Sequence, residues 1–145
     1  SVAVHIFRLA GIYGPGRNTL NTILAGRARR IDKPGHKFSR IHVDDIALVL
    51  HASMKKPNPG AIYNVCDGFP AAPAEVIAFG CDLLGVDPPS LVSFEEASKN
   101  MTTMGLSFWK DNRRVRNDRI KRELGLSLVY PTYREGLRAL ATDLR

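Results

Sequence analysis

Val2 to Leu9 reads V-A-V-H-I-F-R-L, an apolar run without Gly or Pro that suits a strand buried on at least one face. Gly11, Gly14, Pro15 and Gly16 then crowd one short stretch, where glycines permit positive φ and proline fixes it, so a turn is expected. Asn18 is a favoured N-cap for a helix over Thr19–Arg30, with Leu20, Ile23, Leu24 and Ala28 at helical spacing. Arg27, Arg29 and Arg30 fall near its end, where cations complement the dipole and a solvated face is the simplest role. A D-K-P-G turn (Asp32 to Gly35) leads to a short strand over Lys37–Val43. Asp44 and Asp45 stand before a helix over Ile46–Met54, and adjacent carboxylates in that place read as caps rather than as an acid/base pair. Beyond the loop Lys55–Gly60 come a strand over Ala61–Cys66, a turn at Asp67–Pro70 and a helix over Ala72–Gly85, closed by its glycine. Leu91 to Phe94 is extended, Glu95–Met101 makes a helical turn or two, and Thr102–Trp109 has no assignment. Asn117 is expected to cap a helix over Asp118–Leu124 that stops at Gly125, and Pro131–Leu144 supplies the last helix. This order, mainly β-α-β-α-β-α with a helical tail, predicts an α/β layered domain occupying residues 1–145.

Composition narrows the class without choosing a function. At 145 residues, 44% hydrophobic and 24% charged, the chain is of ordinary globular make-up. No apolar run is long enough for a membrane span, so the reading is a cytoplasmic protein without membrane contact. Cys66 and Cys81 lack C-x-x-C spacing, and no metal site or disulfide framework is indicated; both are expected reduced and buried. The net charge of +7 favours anionic partners in general. Ser1 directly before a strong strand, without initiator Met or leader, is what an engineered boundary or a proteolytic cut would leave.

Several chemistries have no motif here. The glycines at 11, 14 and 16 do not make G-x-G-x-x-G, and P-loop, G-x-S-x-G and H-E-x-x-H patterns are missing. His5 and His51 sit in apolar runs, as structural histidines do. His42, between a strand end and a helix start, divides between a polar structural role and substrate contact.

The stretches F-R-L-A-G-I-Y-G-P-G-R-N (Phe7 to Asn18), R-I-H-V-D-D-I-A (Arg40 to Ala47), I-Y-N-V (Ile62 to Val65), N-D-R-I-K-R-E-L-G (Asn117 to Gly125) and Y-P-T-Y-R-E-G-L (Tyr130 to Leu137) resemble, in the same order, the C-terminal half of the NAD-dependent epimerase/dehydratase family, the extended and atypical short-chain dehydrogenases/reductases. The resemblance implies that residues 1–18 hold a late Rossmann strand and a substrate loop, and that residues 19–145 form a small substrate-side α/β domain. It implies NAD or NADP as the cofactor of a longer parent, with none bound by this chain alone. The family's glycine fingerprint and Tyr-x-x-x-Lys pair have no counterpart here: Tyr13, Tyr63, Tyr130 and Tyr133 each lack a Lys four residues on. No catalytic residue is therefore assigned, and the isolated chain is expected to be inactive. By the same resemblance Ala10, Gly11 and Ile12 match the loop that passes the nicotinamide end of the cofactor. Tyr13, Asn18, Thr19, Arg40, His42 and Arg113 are assigned to the substrate, and Arg113 and Arg114 divide between a phosphate clamp and a solvated basic face. Gly11 and Phe38 replace the Asn and Arg usual in relatives acting on nucleotide sugars, which points away from a UDP- or dTDP-sugar in particular. The expected substrate is a small molecule, phosphorylated and nucleotide-linked compounds included.

A competing reading is a basic anion- or nucleic-acid-binding module built on Arg27–Arg40 and Lys110–Arg122. Aromatics are not interleaved with those basic residues at a stacking spacing, so no nucleic-acid partner is expected. An apolar strand at the chain start that lacks neighbours is an association hazard, and a homo-oligomer through Val2–Leu9 is expected.

Overall fold

The computed structural model describes residues 2–110 and 114–144. Its elements run β1 (Ile6–Leu9), β2 (Gly11–Tyr13), α1 (Thr19–Leu24), β3 (Arg30–Asp32), β4 (Arg40–His42), α2 (Val43–Lys55), β5 (Ile62–Val65), α3 (Pro73–Leu84), β6 (Leu91–Ser93), α4 (Phe94–Ser98), α5 (Thr103–Lys110), α6 (Asp118–Leu124) and α7 (Tyr133–Asp143). The strands form three parallel pairs, β1–β5, β2–β4 and β3–β6, with helices packed on them. This is the α/β class that the sequence predicts.

Register decides which side chains face the core. Along β1–β5, Phe7 lies opposite Tyr63, and Arg8 opposite Asn64. Successive strand residues point to opposite faces. Phe7 and Tyr63 stack at 5.9 Å within the core of Ile41, Val49, Val65, Ile120 and Leu124. Arg8 is left exposed on the other side. A second core gathers Tyr13, Leu20, Val76, Tyr133, Leu137 and Leu140, joining β2 to α1, α3 and α7.

Several boundaries differ from the sequence reading, each for a local reason. Only the second half of Val2–Leu9 is strand, since that is the length β5 can pair. The glycine stretch is not all turn: Gly11–Tyr13 pairs with β4, and the reversal is confined to Gly14 and Arg17, which exchange backbone bonds at 3.0 and 3.1 Å. The helix expected to reach Arg30 ends at Leu24, because Gly26 takes φ +71°, and Arg30 belongs to β3. The dipole role given to the three arginines there does not hold. Helix α2 starts at Val43, and its N-cap is His42, whose Nδ1 accepts the Asp44 amide at 3.0 Å. Asn117 occupies the N-cap position of α6 without capping it; its Nδ2 donates instead to the Cys66 carbonyl at 3.0 Å. The unassigned segment Thr102–Trp109 is mostly helix α5, opened by Thr102, whose Oγ1 accepts the Gly105 amide at 3.0 Å. At α7, Thr132 and Glu135 form a capping box.

Both cysteines are free and buried, as expected, and burial pushes each thiol up from its ordinary value. Among the described residues no helix is long and apolar enough to cross a membrane. Among the described residues no group of His, Cys, Asp and Glu is arranged to hold a metal ion.

Candidate functional site

A cleft of about 920 Å³ opens at the carboxyl end of β1. Its floor is the backbone of Ala10, Gly11 and Ile12, with Arg8 and Asn64 beside them on the open side of β1–β5. The amides of Ala10 and Gly11 are committed to the carbonyls of Val65 (3.1 Å) and Ser39 (3.2 Å). What this floor presents is therefore apolar surface, including Ile12 at 40% exposure. Phe38, Phe108 and Trp109 form the facing wall. Trp109 is held by an aromatic cluster: it stacks on His36 at 5.3 Å, meets Phe38 edge-on at 5.4 Å and lies 5.6 Å from Phe94. Lys33 reinforces it, donating to the Trp109 carbonyl while lying 4.5 Å over the Phe94 ring.

Arginines supply the cleft's charge. Arg40 is on the wall but turned inward, donating to the carbonyls of Phe38 (3.0 Å) and Ala71 (3.3 Å). Arg114 uses one nitrogen on the Gly35 carbonyl at 2.7 Å, and Arg116 pairs with Asp118 at 2.6 Å. The Arg8 side chain has no hydrogen bond or ion pair among the described residues.

The other residues singled out in the sequence fall into different surroundings. Tyr13 borders the cleft, yet its hydroxyl is directed at α7, so close that a Cβ on Gly136 would stand 2.0 Å from it. That hydroxyl is buried without a partner, and burial pushes its pKa up, making it a weaker acid, with the charge of Asp67 adding to the shift. His42 is buried between Tyr13 (5.1 Å) and Tyr130 (4.1 Å) and caps α2. Asn18 caps α1, accepting the Asn21 amide at 3.1 Å and donating to Gly14 at 2.9 Å. Thr19 opens the same helix and faces Gly80 of α3. Neither Asn18, Thr19 nor His42 lines the cleft. Arg113 lies outside the described residues.

Behind the wall sits a small buried polar group. Asp67 accepts the Phe69 amide through Oδ1 at 2.8 Å, and its Oδ2 has no partner. Burial pushes this carboxyl up to about 6, against the opposing pull of that amide and of Arg40. The Arg40 guanidinium is in turn pulled down by burial and held up by Asp67. Asp45, read from the sequence as a cap, is fully buried and receives the amides of Val129 (2.8 Å) and Tyr130 (3.0 Å).

Sequence reasoning missed Arg8, Phe108 and Trp109 as cleft residues. The strand alternation around Phe7 was a usable signal for Arg8. For α5 the signal was Thr102 three residues before Gly105, a hydroxyl placed to open a helix. The arrangement as a whole offers an apolar floor, a ring-bearing wall and guanidinium donors, which is equipment for holding a ligand.

No protein-family model matches the chain. The protein YeeZ of Escherichia coli K12 is 30% identical over 131 residues, covering 89% of this chain and 42% of YeeZ. A solved conserved protein of Silicibacter pomeroyi is 56% identical and superposes with a TM-score of 0.89 over 97% of this chain and 48% of that one. Human epimerase family protein SDR39U1, solved with NADPH, superposes with a TM-score of 0.77 at 18% identity, over 96% of this chain and 48% of that one. The chain thus spans somewhat under half the length of the proteins it matches. The fold of this chain is that of the C-terminal half of the NAD(P)-dependent epimerase/dehydratase family.

Proposed function

We propose that this chain is the substrate-binding portion of an NAD(P)-dependent epimerase/dehydratase or reductase-like protein, occupying a single domain and inactive by itself. The observation that carries the reading is the cleft at the carboxyl end of β1, where ligands bind in open α/β sheets. Ala10, Gly11 and Ile12 give the nicotinamide end an apolar surface on which the Ala10 and Gly11 amides are already bonded, which fits a ring better than a pyrophosphate. When bound, the cofactor supplies hydride transfer. The chain's own part is to hold the substrate against that surface and to keep water from it. The cytoplasm is the proposed location.

Tyr13, Arg40 and Arg114 border the site, and Asn18, Thr19 and His42 support it by fixing the helices behind it. The second edge of β1 has no strand partner among the described residues, and Val2, Val4 and Ile6 are exposed on the same segment. That edge is proposed to be covered by a second copy or by the remainder of a longer chain.

The test is a fusion of the preceding half of the Silicibacter pomeroyi protein to this chain. Enhanced NADPH fluorescence at about micromolar affinity is expected for the fusion, and none for the chain alone. A folded fusion that leaves NADPH fluorescence unchanged, or micromolar binding by the chain alone, would overturn the reading.

A further inference from the structure

Resting on the reading of the cleft as the substrate side, we infer that its ligand is a planar aromatic anion, a ring bearing a carboxylate or phosphate. Phe108 is the first reason. It is 63% exposed, it borders the cleft, and its ring makes no aromatic or cation contact with any described residue. A large ring left bare at the mouth of a cleft, next to a Trp109 already fixed by His36, Phe38 and Phe94, is half of a stacking sandwich.

Arg8 is the second. A guanidinium without an internal partner, standing over an apolar floor, is the group that recognises a carboxylate or phosphate through paired hydrogen bonds. Arg114, which also lines the cleft, has donors left beyond the one on Gly35. Leu9 and Ile12, at 45% and 40% exposure, leave apolar surface between charge and ring, which would desolvate a sugar's hydroxyls without replacing their partners. Stacked ring at one end and paired anion at the other describe one amphipathic planar acid.

Trp109 is the only tryptophan in the chain, so its emission reports the cleft directly. The chain is titrated with 3-phenylpropanoate, phenyl phosphate, 3-cyclohexylpropanoate, inorganic phosphate and UDP-glucose. The two aromatic anions are expected to shift the emission at about millimolar concentration or below, and the cyclohexyl acid to bind about fivefold more weakly for want of a ring face. Phenyl phosphate against phenylpropanoate tells which anion the guanidiniums prefer. Arg8→Ala should weaken both by about tenfold or more. Phe108→Ala should erase the preference for phenyl over cyclohexyl, and Phe108→Leu, which keeps apolar area, should erase it too.

Equal affinity for the phenyl and cyclohexyl acids would overturn the inference, as would tighter binding of UDP-glucose or an unchanged affinity in Arg8→Ala. No shift with either aromatic anion while the fusion binds NADPH would remove the inference and keep the functional reading. Aromatic binding with a fusion blind to NADPH would do the reverse.

Discussion

The two sides of this molecule handle polar groups in opposite ways. On the packed side Asp45 of α2 is fully buried with both oxygens bonded to backbone amides, and Gly136 of α7 lets Tyr13 come so close that no side chain fits between. On the cleft side Arg8 stands unpaired and Phe108 is largely bare. Asp67 lies between them, buried like the first and half-bonded like the second. Groups satisfied internally hold the fold, and groups left unsatisfied at an open face remain available to a ligand.

That contrast is broken most severely at Asp45. Asp45→Ala strands the amides of Val129 and Tyr130 and is expected to cost about 4 kcal/mol in chemical denaturation. A loss below about 1 kcal/mol would mean that the 129–130 backbone finds other partners. Gly136→Ala comes next. Alanine is the better helix former, yet its Cβ must displace the Tyr13 ring, so a net loss of about 2 kcal/mol is expected from the same measurement. A gain in stability would show that Tyr13 can move aside.

Asp67 sharpens the comparison through pH. Its folded carboxyl titrates at about 6, above the ordinary value of 3.8, so the folded state holds the proton more tightly than the unfolded chain. The contribution of Asp67 is therefore largest below about pH 4, falls by about 3 kcal/mol as pH rises from about 4 to about 6, and is level above that. Glu135 works the other way: the Thr132 hydroxyl holds its carboxyl below the ordinary value, so its contribution is lost as pH falls below about 4. Asp67→Asn should flatten the fall between about pH 4 and 6 in denaturation curves taken across that range. An unchanged slope would place the titration elsewhere.

The smallest effect belongs to the open side. Phe108→Ala should change stability by no more than about 0.5 kcal/mol, because its ring packs against no other ring and is mostly in water. A loss of about 2 kcal/mol would mean that Phe108 is core, not cleft.

Much of the scaffold was legible in the chain. Glycine at 85 and 125 ends α3 and α6 in the left-handed conformation that the sequence pattern predicts, and Leu20 of α1, given a core position by its helical spacing, is fully buried. The strand Ile62–Val65 was equally plain. Failures came where a residue's partner is remote in sequence. Gly11–Tyr13 looked like turn because its pairing partner is Arg40–His42, and Arg30 looked like a helix end and Asp32 like a turn because the partner of Arg30–Asp32 is Leu91–Ser93. Among the site residues, Ala10, Gly11, Ile12, Tyr13 and Arg40 do meet at one cleft, while Asn18 and His42 turn their side chains to helix starts and Thr19 faces Gly80 of α3.

By itself, then, the sequence determined the local elements and the family motifs, since capping residues, glycine punctuation and apolar spacing act over a few neighbours. Only the tertiary structure decided which polar groups are satisfied. Asp45 and Asp67 are both aspartates next to apolar runs, and what separates them is the backbone that arrives from residues 129–130 in one case and does not arrive in the other. The same holds for Arg8 and Phe108, far apart in the chain and joined only because β1 and α5 border one cleft.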